Sequence, residues 1–476
     1  MFLSKLFQKE KGQEIYFFNT LTHKKEKFIP INKKEIGMYS CGPTVYNYMH
    51  VGNLRSYVFA DTVKRVLQYN GYNVKHIINV TDIGHLTSDN DEGEDKMVKA
   101  LKREGKAMTL ENLREVANFY FDKFKDDFEK INIINPEKFV FASDEIPAQV
   151  KLIETLLEKG FAYKTSDGIY FDTAKLSDYG RLGGANSEME SRIAQNAEKK
   201  DQRDFALWKF SSTLLTASAE IIGFEASFGK GFPGWHIECS AMAMKYLGNT
   251  FDIHTGGIDH IPVHHNNEIA QSEAATGKLL ANYWLHNNFI TIGEDKMAKS
   301  GENFLTLNTL IEKGINPLAY RYWLLQSRYS TRMDFSIDAI KAAQTAFERL
   351  AEFISNTEKI GKINLKYKEK FNTATNDDLD TPKAIALVWE ILKDTSLSDE
   401  DKKATILDFD KVLGFELSEV KKTEIEIPAE IQKLLDERKI AKENKDWAKA
   451  DEIREKIKRL GYEIIDSSSD QKLKII

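Results

Sequence analysis

Residues 36–80 of this 476-residue chain carry a strand–turn–helix–strand pattern, and that pattern limits the fold more than any other segment. The apolar run 36–40 reads as a strand, 54–69 has helical spacing stopped by Asn70-Gly71, and 73–80 reads as the next strand. Two strands joined by such a helix form a βαβ unit, whose ligands gather at the carboxyl end of the first strand. The turn there is Pro43-Thr44-Val45-Tyr46-Asn47-Tyr48-Met49-His50-Val51-Gly52-Asn53. A phosphate at the helix start would meet Gly52, which permits close approach, and donors on His50 and Asn53 suited to an oxyanion gaining charge during displacement at phosphorus. Taken alone, the segment is equally an ordinary helix N-terminus.

Two further patterns add chemistry. Lys296-Met297-Ala298-Lys299-Ser300 offers two point charges suited to a departing pyrophosphate. Lysine-rich loops are common, and Lys96-Met97-Val98-Lys99-Ala100 repeats the spacing without the serine in acidic surroundings. The chain has two cysteines, Cys41 beside the turn and Cys239 within Gly234-Trp235-His236-Ile237-Glu238-Cys239-Ser240. If His264 opens a helix, Glu268 projects from the same face one turn later. Two thiolates, an imidazole and a carboxylate suit tetrahedral zinc. A buried free thiol with helix-surface polar residues accounts for the same letters, and the donors come from three separate places that only the fold can unite.

The motifs together resemble a known family. HVGN at residues 50–53 stands where class I aminoacyl-tRNA synthetases carry HIGH, and KMAKS at 296–300 where they carry KMSKS. CGPTVY at 41–46, GWHIECSAM at 234–242, HHNNEIAQSEA at 264–274, Asp377-Asp378-Leu379-Asp380-Thr381-Pro382 and KDWAKAD at 445–451 narrow the resemblance to the cysteinyl-tRNA synthetases. It runs from about Met38 to the C-terminus. The resemblance implies one zinc ion on Cys41, Cys239, His264 and Glu268, and Mg²⁺ entering with ATP. It assigns ATP binding to His50, Gly52, Asn53, Lys296 and Lys299, the last on a mobile loop, and catalysis to the same set without Gly52. Cysteine would attack the α-phosphorus of ATP, and the adenylate would pass the aminoacyl group to the 3′-terminal ribose of cysteine tRNA. Zinc would select the substrate thiol. Trp235, Thr81 and Asp259 are expected in the amino-acid pocket, and Arg438, Trp447, Asp451 and Arg454 at the anticodon. The chain departs from the family at Asn53, for the last histidine of HIGH, at Ala298, for the first serine of KMSKS, and at Gly301-Glu302. Asparagine keeps a shorter donor; a missing transition-state donor costs about 3 kcal/mol, roughly a hundredfold in rate.

The expected fold is α/β: a Rossmann-type parallel sheet split by an insertion, then an all-α bundle and a small C-terminal domain. The segments are 1–125 and 226–335 for the catalytic halves, 126–225 for the insertion, 336–415 for the bundle and 429–476 for an anticodon-contacting tail. Helices are expected at 110–130, 146–159, 339–354, 384–392, 431–442 and 447–460, and a hairpin at 161–173. Residues 251–254 read as a strand ending at Thr255-Gly256-Gly257, and 282–292 as a single strand. The acidic run 89–95 reads as a solvated loop, 178–204 as an exposed or mobile segment, and the first thirty residues carry no assignment.

With 42% hydrophobic residues, several cores can be buried. Two cysteines exclude a disulfide framework, and the absence of any run of eighteen apolar residues excludes a membrane helix. The N-terminal apolar run is too short for a signal peptide, so a cytoplasmic enzyme, monomeric, is expected. A net charge of −6 confines any tRNA surface to a local patch. Two other classes compete: a ligase joining cysteine to a small amine through the same adenylate, and a catalytically silent RNA-binding or zinc-structural module. The tail argues against the amine ligase, which has no use for an anticodon-facing segment.

Overall fold

The computed structural model describes residues 14–83, 96–183, 198–211, 222–292, 295–296, 305–421, 428–466 and 471–475. The chain divides into two compact units, Met1–Glu419 and Val420–Ile476.

The larger unit opens with an antiparallel hairpin, β1 (Tyr16–Asn19) and β2 (Lys24–Lys27). Next come β3 (Glu35–Ser40), α1 (Val51–Tyr69) and β4 (Asn73–Val80), the βαβ unit expected from the sequence, its strands parallel with Met38 opposite His76. Helices α2 (Lys96–Arg103) and α3 (Leu110–Lys130) lead to β5 (Lys138–Phe141). Helix α4 (Ile146–Glu158) then precedes a four-stranded antiparallel sheet, β6 (Ala162–Lys164), β7 (Gly168–Phe171), β8 (Phe205–Phe210) and β9 (Gly231–Pro233). Helix α5 (Trp235–Leu247), strand β10 (Phe251–Gly257), helix α6 (Asn266–Thr276) and strand β11 (Ala281–Asn287) return the chain to the first sheet. That sheet is parallel throughout, in the order β11-β10-β3-β4-β5. Its strands are largely buried, β10 along its whole length although its sequence carries Asp252, His254 and Thr255.

Short strands β12 (Ile290–Ile292), β13 (Asp295–Lys296) and β14 (Met333–Asp334) form a small sheet around α7 (Leu307–Glu312) and α8 (Pro317–Leu325). Helices α9 (Ile337–Asn356), α10 (Leu365–Asn376), α11 (Thr381–Lys393) and α12 (Asp399–Leu413) follow. A buried charge cluster ties α1 to α8: Asp61 accepts from Arg65 Nε at 2.7 Å, Arg321 Nη2 at 2.5 Å and the Ile134 amide at 2.9 Å. Arg321 also donates to the carbonyls of Leu413 (2.7 Å) and Ile131 (3.0 Å). Although burial opposes ionisation, the two guanidiniums hold the Asp61 carboxyl below the usual carboxylate range.

Several expectations need correction. Of the first thirty residues, those from 14 onward have a place: Asn19 donates to the Asn282 carbonyl (2.9 Å) and accepts from the Trp284 amide (3.0 Å), so the hairpin covers the β11 edge. Strand β10 runs through Thr255-Gly256-Gly257 rather than ending before it. The single strand at 282–292 is two strands, because the Asn288 side chain accepts from the Phe289 amide (2.7 Å) and turns the chain between them. Within 178–204, Leu182 is buried rather than exposed, its amide bonded to Asn266 at 3.1 Å. The acidic run 89–95 and residues 184–197 lie outside the described residues. Among the described residues, no helix is long and apolar enough to cross a membrane.

The smaller unit holds α13 (Ala429–Glu443), α14 (Trp447–Arg459) and a hairpin, β15 (Tyr462–Asp466) with β16 (Gln471–Ile475). The sequence showed its helices but not this hairpin.

Candidate active site and metal centre

A cavity of about 380 Å³ opens at the carboxyl ends of β3, β10 and β11, beside the start of α1. Cys41, His50, Asn53, Trp235, Asp259 and Asn287 are among the residues lining it. His50 caps α1: its Nδ1 accepts from the Asn53 amide at 3.1 Å. A ring nitrogen that accepts carries no proton, so the neutral ring holds its hydrogen on Nε2. The first turn of α1 contains no acidic residue, leaving its partial positive charge for an anion. Asn53 lines the same cavity, and its Oδ1 is buried without a hydrogen-bond partner. The Val51 amide bonds the Leu305 carbonyl at 2.8 Å, which brings the chain just beyond the lysine motif to the helix start. Lys296 is placed on β13, paired with Thr291; Lys299, Ala298, Gly301 and Glu302 lie outside the described residues.

Three of the four proposed metal ligands, Cys41, Cys239 and His264, line the cavity, and Glu268 lies beside them. Cys41 follows β3, Cys239 projects from α5, and a wide π-type turn, Ile261–His265, presents His264 ahead of Glu268 on α6. Their donor atoms all lie within 4.8 Å of one another, with His264 Nε2 3.0 Å and Cys41 Sγ 3.7 Å from Glu268 Oε1. Tetrahedral zinc at about 2.0–2.3 Å from each ligand fits such a set. Cys41, His254, His265 and Glu268 form a second cluster of the same size. The first is the better zinc site: it supplies two sulfurs, and Cys41, Cys239 and His264 line the cavity while His254 and His265 do not.

His254 and His265 instead support the ligands from behind. His254 Nε2 lies 2.8 Å from Glu268 Oε2, and His265 Nε2 lies 3.3 Å from Cys41 Sγ. On the other side, His236 Nδ1 meets His264 Nδ1 at 2.9 Å. Gly256 makes room for these rings, since a Cβ there would stand 2.5 Å from His265 Cε1. The hydrogen bond from Cys41 draws the Cys239 thiol down to about 6 against the effect of burial, whereas burial pushes Cys41 well up. Burial lowers His264, but Cys239 and Glu268 outweigh it and raise the ring to about 10; against burial, His254 and His264 hold Glu268 far below the usual carboxylate range. Cys239 and Glu268 are thus drawn toward their anionic forms, and a divalent cation would bind with release of the protons that Cys41 and His264 keep.

The other expected residues divide. Trp235 lies against His264, ring centres 4.5 Å apart, and with Asp259 lines the cavity. Thr81 does not: it is buried at the end of β4, where its hydroxyl donates to Glu238 Oε2 at 2.8 Å. Asn287, which the sequence reading missed, is buried with Oδ1 unpartnered at the cavity; its signal was its place at the end of a strand. In the smaller unit Trp447, Asp451 and Arg454 are exposed on α14, spaced to share a face. Arg438 is not with them. It is buried between α13 and α14, where Nε donates to the Ala450 carbonyl at 3.3 Å.

The family model described as tRNA synthetases class I (C) catalytic domain matches residues 27–345. This chain belongs to the cysteinyl-tRNA synthetase family. A second model, the cysteinyl-tRNA ligase anticodon binding domain, matches residues 425–472 of this synthetase. It is 44% identical to the cysteine–tRNA ligase 1 of Burkholderia lata, over 96% of each chain. With the cysteine–tRNA ligase of Zymomonas mobilis it shares 40% identity, over 95% of this chain and 96% of that one. Such kinship makes it an aminoacyl-tRNA ligase. Among solved structures, Mycobacterium tuberculosis methionyl-tRNA synthetase in complex with methionyl-adenylate superposes with a TM-score of 0.55 at 14% identity, covering 80% of this chain and 90% of that one. The ternary complex of Agrobacterium radiobacter LeuRS with tRNA and LeuAMS gives 0.57 at 11%, covering 83% and 85%. These two confirm the class I fold.

Proposed function

We propose that this synthetase activates L-cysteine with ATP and transfers it to the 3′-terminal ribose of cysteine tRNA, using zinc on Cys41, Cys239, His264 and Glu268 to select the thiol. One observation carries the reading: a soft ligand cluster shares a cavity with the capped, acid-free N-terminus of α1. When bound, zinc would supply a soft Lewis-acidic centre that favours a thiolate over a hydroxyl.

The chain's own residues do the rest. His50 directs its Nε2 proton, and α1 the positive end of its dipole, at the phosphate where charge develops as the cysteine carboxylate displaces pyrophosphate. Asn53 adds an amide donor from the same turn. Lys296 and Lys299 follow the leaving pyrophosphate, and Mg²⁺ enters with the nucleotide. Trp235 walls the amino-acid pocket beside His264 and keeps water from it; Asp259 receives a polar end of the substrate. Shape alone separates substrates differing by one small group about 10- to 200-fold, so the sulfur preference of the ligand set carries the remaining discrimination against serine. Trp447 offers a stacking plane to an anticodon base, with Asp451 and Arg454 at its edges.

The test is zinc analysis alongside amino-acid-dependent pyrophosphate exchange, then tRNA charging. Cysteine-dependent exchange with no response to serine, one zinc per chain and charging of cysteine tRNA are expected. Exchange without charging would overturn the tRNA step in favour of a small-amine ligase, and the absence of exchange would favour a silent module.

A further inference from the structure

We propose that Thr20, directly after β1, is a positioning residue for the metal centre, acting on the Cys41 sulfur through the relay Thr20–His286–His265–Cys41. The proposal rests on the zinc reading above. Three contacts build it: Thr20 Oγ1 to His286 Nδ1 at 2.7 Å, His286 Nε2 to His265 Nδ1 at 2.7 Å, and His265 Nε2 to Cys41 Sγ at 3.3 Å. Thr20, His286 and His265 are buried, so no bulk water competes for these links.

The relay has one consistent direction once Cys41 is a metal-bound thiolate. A thiolate only accepts, so His265 must donate from Nε2. The ring-to-ring contact needs one donor and one acceptor, so His265 Nδ1 then accepts and His286 Nε2 donates. His286 Nδ1 is left as an acceptor, and the Thr20 hydroxyl faces it as a donor. Thr20 is itself fixed, because its amide donates to the Trp284 carbonyl at 2.8 Å. Without that hydroxyl, His286 Nδ1 is a buried polar atom with no partner, and the ring loses the contact that holds it against His265. A His286 ring that shifts loosens its hold on His265 Nδ1, and with it the His265 Nε2 donor aimed at the sulfur. The hairpin therefore sets, from outside the site, the hydrogen bond that orients a first ligand.

The experiment measures zinc release from the full-length, zinc-loaded chain to a chromogenic chelator, with the cobalt-substituted protein's thiolate-to-metal absorption as a second readout. Thr20→Val should release zinc about tenfold faster or more and shift the cobalt band, as loss of an outer partner does. Thr20→Ser, which keeps the hydroxyl, should match wild type. In Thr20→Val/His286→Gln, the glutamine amide can donate to His265 Nδ1 without help from residue 20 and should restore slow release; loss of packing alone would not be rescued this way. Wild-type release from Thr20→Val, equal loss in Thr20→Ser, or no rescue in the double variant overturns the relay. A wild-type chain that takes up no zinc overturns the metal reading and the relay with it, whereas a zinc-loaded wild type with an unaffected Thr20→Val overturns the relay alone.

Discussion

His50 has two functions that substitution can separate. Its Nδ1 accepts from the Asn53 amide and caps α1, while the proton on Nε2 is the donor assigned to the α-phosphate. In His50→Asn the shorter side chain caps a helix as well as any residue does, but it cannot reach where Nε2 reaches. The cap survives and the donor is lost. Removing one such donor costs about 2.7–4 kcal/mol, so the rate constant for cysteine-dependent pyrophosphate exchange should fall roughly 100- to 1,000-fold. In His50→Ala the cap goes too, adding about 1 kcal/mol of destabilisation. Exchange kinetics at saturating ATP, paired with thermal unfolding, make the comparison. Both variants should lose activity to a similar degree, and the alanine variant alone should melt measurably lower. Exchange by His50→Asn within threefold of wild type, or activity in the two variants that tracks their stability, would refute the division of labour.

Three further outcomes follow from the same geometry. Cys239→Ser replaces a buried thiol drawn down to about 6 with a hydroxyl that stays protonated, so zinc content should fall and the KM for cysteine should rise at least tenfold, checked by metal analysis and exchange kinetics. Trp447→Ala should leave cysteine-dependent exchange unchanged while raising the KM for tRNA in charging assays, since loss of one stacking plane costs about 1–3 kcal/mol. Asp61→Asn strips two buried guanidiniums of their counter-charge and should destabilise the larger unit by about 3 kcal/mol, the low end for a broken buried pair because Arg321 keeps its carbonyl partners. As the folded carboxyl is depressed, this stabilisation is fully present above the unfolded value of about 3.9 and is lost as pH falls through the folded one. The gap in melting temperature between wild type and variant should therefore be constant near neutrality and narrow below about pH 4.

What was legible in the sequence was what short-range pattern controls. Helix α3 appears at 110–130 as expected because its apolar residues recur on one face; the structure adds Thr109 as its cap. The first βαβ unit was readable because its strands are buried on both faces and its turn is punctuated by glycine and proline. Strand β2, by contrast, is Lys-Lys-Glu-Lys on an exposed edge, and such a run has no alternation to reveal it. Its pairing with β1 and the anchoring of Asn19 on β11 are long-range facts. The break between β11 and β12 depends on one asparagine accepting from its neighbour's amide, a local choice that competes with strand formation without altering the apolar pattern.

The site residues follow the same division, with a sharper lesson about polar side chains. Residue type and motif indicated which groups can do chemistry; they did not indicate which way each faces. Thr81 and Arg438 are both polar and both near functional segments, yet each spends its hydrogen bonds inside the protein, on Glu238 and on the Ala450 carbonyl. Burying a hydroxyl or a guanidinium demands such a partner, and for Thr81 that partner, Glu238, sits far away in sequence. The zinc quartet was recoverable because its donors are rare letters: two cysteines in the whole chain, and a His264–Glu268 spacing that a helix turns to one side. Histidines His265 and His286 and residue Thr20 have no such rarity or spacing. Their alignment behind Cys41 arises only when β3, β11 and the first hairpin meet, which is why the support of a metal site stays hidden in a sequence that displays its ligands.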